Sequence, residues 1–266
     1  MATIMHGDIQ TSSLPYAGRV RSVASDQPFY WLAAGWRDFM AAPAASLGYG
    51  LLFVVIGFAL TYGLWRTDKI FMLLPLAAGF MLLVPLLSVG FHATSRDIDQ
   101  NRRPSFFGAL FAWQANAKSM VNAALAFMFM FLLWMRLSEI VFALTFPPTA
   151  ALDVQGLLNA TFFTAGGLEF LALFLILGAC MAALAFMGGA FALPMLLDKD
   201  VSMAEAIATS FTASLINIRT MAVWAALVAI LLAGGMVFFY VGLVITLPLV
   251  GHASWHAYRA VIEPEG

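Results

Sequence analysis

The side chains best suited to chemistry in this chain are few. His92, His252 and His256 are three of its four histidines, and His252 and His256 are spaced i, i+4. On a helix that spacing puts both imidazoles on one face. Two such rings can ligate a metal or face a haem edge. A pair alone does not complete a coordination set, and no Asp, Glu or Cys lies nearby in sequence to extend it. The expectation is that all three rings sit at helix ends and hydrogen-bond at a membrane interface, not that they hold a cofactor or a metal.

Arg136 and Glu139 lie three positions apart, within reach of an i, i+3 pair. From Lys118 the helical rise to Arg136 is about 27 Å, which places the pair near the far interface of a bilayer. Glu169 opens the next apolar segment on the same side. The plain expectation is a structural ion pair that snorkels to headgroups. The sharper alternative is that Arg136, Glu139 and Glu169 form an outer-leaflet polar cluster that gates or binds something.

Pro85, Pro194 and Pro248 recur near the ends of apolar segments. Each removes a backbone donor and bends a helix, so three bends at one depth would open a cavity. Neighbouring helices repair such defects in membranes, so kinks without a cavity are expected. There is no phosphate-binding loop, dinucleotide glycine fingerprint, HExxH or nucleophile elbow. No catalytic residue and no cofactor is therefore expected. Cys180 is the only cysteine, which excludes an internal disulfide; a buried, inert thiol is expected.

The elements that position these residues are dictated by composition. Hydrophobic residues make up 62% of the 266 positions and charged residues 10%, with a mean hydropathy of +0.91. Soluble domains run at about 45–50% apolar and about 25% charged, so a water-soluble fold could not hide this surface and a bilayer is the natural solvent. The net charge of −1 gives no attraction to nucleic acid.

About 20 apolar residues cross a bilayer. Six segments qualify, at about 44–65, 70–93, 119–145, 166–194, 218–235 and 237–258, with Gly234-Gly235 as the turn between the last two. Residues 28–41, 105–117 and 202–216 read as short amphipathic helices at the membrane surface. Ser202 and Glu205 form a capping box for the third. Residues 1–27 lack an apolar core and read as a flexible cytoplasmic tail, leaving 28–262 as a single transmembrane domain.

Ten Lys and Arg residues flank one side of the spans and two the other, leaving Arg136 aside. The positive-inside rule then puts both termini in the cytoplasm. Trp31, Trp36, Trp113 and Trp255 fall at the cytoplasmic interface, and Trp65 and Trp134 at the outer one. The fold class is an all-α polytopic transmembrane bundle. Its three successive surface-helix, span, span units suggest a parallel repeat.

The endings VPLLSVGFHATSR around Pro85 and LPLVGHASWHAYR around Pro248, with an FMAxP-type entry helix at Phe39–Pro43, resemble a family of bacterial uncharacterised integral membrane proteins. This is the domain of unknown function 2189, sometimes labelled cytochrome c oxidase subunit I-like. The resemblance covers about residues 25–262. It implies fold and location but no activity, and no functional residue carries over. The oxidase label itself conflicts with the residues. A haem–copper subunit needs a full set of helix-buried histidines, whereas this chain has four in total and His6 lies in the tail.

The expected function is therefore a non-catalytic scaffold or accessory subunit of a membrane complex, a respiratory complex among the candidates. Its partners would be the lipid bilayer and either a membrane protein or further copies of itself. The alternatives are a transporter or channel for a small or lipid-like solute, and a membrane enzyme that acts on lipid through His252 and His256.

Overall fold

The computed structural model describes residues 14–146, 154–237 and 240–263. Among these the chain is helical throughout apart from turns and one isolated bridge. In chain order the α-helices are α1 (Gln27–Ala41), α2 (Pro43–Arg66), α3 (Leu73–Leu87), α4 (Val89–Asp99), α5 (Phe106–Leu110) and α6 (Ala117–Thr145). They continue with α7 (Val154–Phe163), α8 (Ala165–Gly189), α9 (Ala192–Asp198), α10 (Met203–Ile216), α11 (Ile218–Val237) and α12 (Leu243–Val261).

Five stretches are long and apolar enough to cross a membrane: Pro43–Arg66, Ile70–Asp99, Ala112–Thr145, Ala165–Asp198 and Ile218–Val237. They match the first five expected spans. The sixth expected span is present as α12, but its second half carries His252, Ser254, His256 and Arg259, and it falls short of the apolar length the others have. The turn before it also differs from expectation. Gly234 and Gly235 are both helical, and the chain turns at Tyr240–Gly242, with Tyr240 in the left-handed region (φ 63°). Gly235 is used for packing instead, since a Cβ there would lie 2.4 Å from Thr246 Oγ1. A further helix, α7, occupies part of what reads as a bare connection in the sequence.

The prolines interrupt helices unequally. Pro85 sits in the last turn of α3, and the helix breaks at Ser88 before α4 begins. Pro194 lies in the first turn of α9, just after the break at Ala190–Phe191, where a missing N–H costs little. Pro248 is buried within a continuous α12. Three equivalent bends are not what the chain builds.

Contacts divide the chain into two compact units. The first gathers Met1–Val54, Pro85–Ala124 and Phe186–Gly266. Here α1 lies along α12, and the approach depends on Gly35, where a Cβ would stand 2.6 Å from the backbone N of Ala253. Gly251 likewise admits Phe91, and Gly50 admits Pro248. Small residues allow such close helix contacts where lipid supplies no hydrophobic drive.

The expected tail joins this unit from Leu14 onward. Asn217 accepts from Val23 N at 2.8 Å and donates to Arg21 O at 3.0 Å, and Thr220 donates to Val23 O at 3.1 Å. Arg21 N donates to Val261 O at 2.8 Å, and Glu263 N donates to Arg19 O at 2.9 Å, so the two chain ends pair with each other. Residues 1–13 of the expected tail lie outside the described residues.

The second unit comprises Val55–Val84 and Leu125–Ala185. Its centre is aromatic: Trp134 packs on Phe174 (4.8 Å between centroids), and Phe170 meets Phe142, Phe146 and Phe174. Trp134 donates to Pro75 O at 2.9 Å. Trp31, Trp134 and Trp255 are therefore internal packing residues and not members of an interfacial belt, while Trp36, Trp65 and Trp113 are exposed. Cys180, expected to be buried, is also exposed on α8. An apolar side chain can face lipid as readily as a core, so hydropathy does not separate the two.

The expected surface helices 28–41, 105–117 and 202–216 are present as α1, as α5 with the 3-10 turn Ala112–Asn116, and as α10. Ser202 caps α10, its hydroxyl accepting from Glu205 N at 3.2 Å. Both α1 and α10 bury more than a surface helix would: Asp38 in α1, and Thr209, Ser210 and Ser214 in α10, are nearly inaccessible.

Candidate functional site

The histidines meet inside the first unit. Residues His252 and His256, one turn apart on α12, share a face as their spacing requires. That face is turned inward, against α1, α2 and α4. His252 has no exposed surface. Its Nε2 lies 2.9 Å from Ser46 Oγ and its Nδ1 lies 2.8 Å from Ser95 Oγ. A neutral imidazole offers one donor and one acceptor, and each hydroxyl can play either part, so both nitrogens are satisfied. Ser46 also reaches the Ala42 carbonyl at 2.9 Å. Phe91 closes the site edge-on, 5.6 Å from the His252 ring.

His256 Nε2 lies 2.8 Å from Asp38 Oδ2, a partner 218 positions away in sequence. Burial opposes ionisation of the Asp38 carboxyl, but hydrogen bonds from His256 and Ser95 and the nearby histidine charge outweigh it. The Asp38 carboxyl is held below the ordinary carboxylate value. Ser95 thus stands between His252 and Asp38. The series His256, Asp38, Ser95, His252 and Ser46 joins α1, α2, α4 and α12.

Further carboxylates pin the same helix. Trp255 Nε1 donates to Asp99 Oδ2 at 2.7 Å, Tyr258 OH donates to Asp198 Oδ2 at 2.8 Å, and Arg259 lies 3.7 Å from Asp198.

His92 differs from the other two. It is buried on α4, and neither ring nitrogen has a hydrogen-bond partner among the described residues. Ser88 Oγ at the N-cap of α4 and Arg96 Nε one turn after His92 are buried without a partner too, although Arg96 Nη1 donates to Leu197 O. The expectation of histidines hydrogen-bonding at an interface is therefore corrected. His252 is bonded within the protein, and His92 is enclosed without a bond.

The acidic and basic residues of the second unit behave as spacing indicates. Arg136 Nη1 donates to Glu139 Oε2 at 2.7 Å, and both side chains are largely exposed. Glu169 is exposed and forms no ion pair with Arg136 among the described residues. Glu139 lines a small cavity of about 170 Å³ with Ser138, Thr161, Phe142 and Phe170. Pro85, Pro194 and Pro248 line neither this cavity nor the groove in the first unit. No group of three or more His, Cys, Asp or Glu is arranged to hold a metal among the described residues.

The partners that make the histidine network, Asp38, Ser46 and Ser95, escape sequence reasoning because they lie on other helices. The available signal was weak: small hydroxyls in otherwise apolar runs, which need a partner when buried.

Long apolar helices that enclose a small polar network define a polytopic α-helical integral membrane protein. Residues 73–198 match the model of the family described as predicted integral membrane protein (DUF2189). This stretch runs from the start of α3 to the end of α9 and bears out the resemblance to that family over residues 73–198, a narrower extent than the expected 25–262; Pro248, His252 and His256 lie beyond it. No curated protein and no solved structure matches the chain.

Proposed function

We propose that the protein is a non-catalytic structural component, a scaffold or accessory subunit, of a bacterial inner-membrane assembly. The observation that carries this reading is that the reactive side chains are either engaged by other residues of the chain or, like His92, enclosed. His252 is engaged at both nitrogens, His256 by Asp38, and Arg136 by Glu139. A catalytic base must reach the proton it removes, and His252 has no accessible surface. The long helices also leave most of their surface outward, with only 17–33% of each span's residues buried within the chain. Such surfaces suit a partner protein, a second copy of this chain, or lipid.

Both termini are assigned to the cytoplasm. The excess of Lys and Arg supports this, as does the backbone pairing of residues 19–21 with 261–263. Ends that hydrogen-bond to each other share one face of the membrane, which supports an even number of crossings with α12 as the sixth. Reporter enzymes fused to each terminus should both be active only in the cytoplasm; a carboxyl-terminal reporter active outside the cell overturns the assignment. For the role itself, the test is isolation from native membranes in a gentle detergent after chemical cross-linking. A stable complex with a partner protein or with itself is expected. Migration as a lone protomer, without cross-linked species, refutes the structural role.

A further inference from the structure

A groove of about 420 Å³ in the first unit takes no part in the histidine network. Its walls include Tyr49 and Phe53 of α2, Leu86 and Gly90 on either side of the Ser88 break, Trp113, and Val121 of α6. No residue lining it is charged. Its size falls within the range of about 300–1,000 Å³ that small-ligand sites occupy.

The break at Ser88 and the absence of a side chain at Gly90 shape the groove. A Cβ at Gly90 would lie 2.6 Å from Tyr49 Cε1. Three of its walls belong to stretches long and apolar enough to cross a membrane, which favours an acyl chain over a water-soluble ligand as its occupant. The segment that contributes Ala109, Leu110 and Trp113 to the lining also presents Phe107, Phe111 and Trp113, all exposed, as an interfacial aromatic surface does.

Charge selects among the amphiphiles that could enter. No acidic residue lies between Asp99 and Glu139, whereas Arg102, Arg103, Lys118 and Arg136 do. Arg102 is paired with Asp97. Arg103 and Lys118 are exposed and form no ion pair among the described residues. Lys118 is one turn from Val121 on the same face of α6, and Arg103 precedes α5, whose Leu110 lines the groove. Basic residues beside a groove between spanning helices form a site for an anionic headgroup.

We infer that this groove holds one acyl chain of an anionic phospholipid, with the headgroup met by Lys118 and Arg103. This goes beyond the structural role proposed above and is independent of it: lipid selectivity and subunit association are read by different measurements. The test is native mass spectrometry of the delipidated protein with dioleoyl phosphatidylglycerol or dioleoyl phosphatidylcholine at matched concentrations. The first bound phosphatidylglycerol should be favoured at least tenfold. A cation near a membrane surface contributes about fivefold to such binding, so Arg103→Gln and Lys118→Gln should each remove about that factor, and together remove the preference. Val121 is 46% exposed, so Val121→Trp can fold while its indole fills the groove, and it should weaken the first site for both lipids. Circular dichroism confirms that each variant retains its helices. Equal binding of the two lipids by the unaltered protein overturns the inference. So does undiminished phosphatidylglycerol binding by folded Val121→Trp, or an unchanged preference in the Arg103→Gln/Lys118→Gln pair.

Discussion

Replacing His252 separates the two ways in which a buried histidine can hold helices together, by filling space and by hydrogen bonding. The ring is fully enclosed and contacts Ser46 and Ser95. Its truncation in His252→Ala leaves a cavity, and large-to-small changes in a packed core cost about 2–4 kcal/mol. Polar losses are smaller here than they first look. Ser46 keeps the Ala42 carbonyl as an acceptor, and Ser95 keeps the Asp38 carboxylate, so neither hydroxyl proton is stranded. A stranded buried donor would add about 1–3 kcal/mol. His252→Leu refills most of the volume and should fall within about 1–2 kcal/mol of the unaltered protein. Thermal unfolding in detergent, followed by tryptophan fluorescence, measures both. Trp255 lies on the same helix and is buried, so its emission reports the local packing. The His252→Ala melting temperature should drop by about 5–15 °C, given about 2–4 °C per kcal/mol at this chain length, and the His252→Leu drop should be less than half of that. Equal losses in the two variants would refute the reasoning, because hydrogen bonding and not volume would then dominate. No loss in His252→Ala would show that the ring is not enclosed.

Other perturbations test other contacts. The Asp38 carboxyl titrates below its ordinary value, so its contribution is fully present above the unfolded carboxylate value of about 3.9 and is lost as the pH falls through the lowered folded value. Asp38→Asn should flatten that acid limb in a series of melts from pH 6 downward; an unchanged limb refutes the coupling. Gly35→Ala would put a Cβ 2.6 Å from the Ala253 backbone N, forcing α1 from α12 at a cost of about 1–3 kcal/mol, and the melting temperature should fall accordingly. Neutralising the exposed Arg136 and Glu139 together should shift stability by less than about 1 kcal/mol, measured by the same melts; a larger loss would mean the pair is not a surface one.

Helix-forming apolar length is a property of the chain itself, because each crossing must satisfy its backbone internally over about 30 Å of hydrocarbon. For that reason α2, α6, α8 and α11 are legible to within a few residues, and so is the Arg136–Glu139 pair, whose spacing lies within one helix. Local chemistry was equally readable at the Ser202 cap of α10. The turn after α11 was not readable. Gly234-Gly235 serves equally well as a turn or as a packing surface, and here both are helical and Gly235 packs.

What the sequence determined by itself is the solvent, the helices, and the residues that must share a face along one helix. What only the tertiary structure decided is which of those faces point inward and what they meet there. Lipid and protein core are alike apolar, so hydropathy cannot tell an enclosed Trp134 from an exposed Trp65. A hydrogen bond across 218 positions, such as that between Asp38 and His256, depends on how α1 and α12 pack. That packing follows from close approach at Gly35, a matter of shape and not of pattern along the chain.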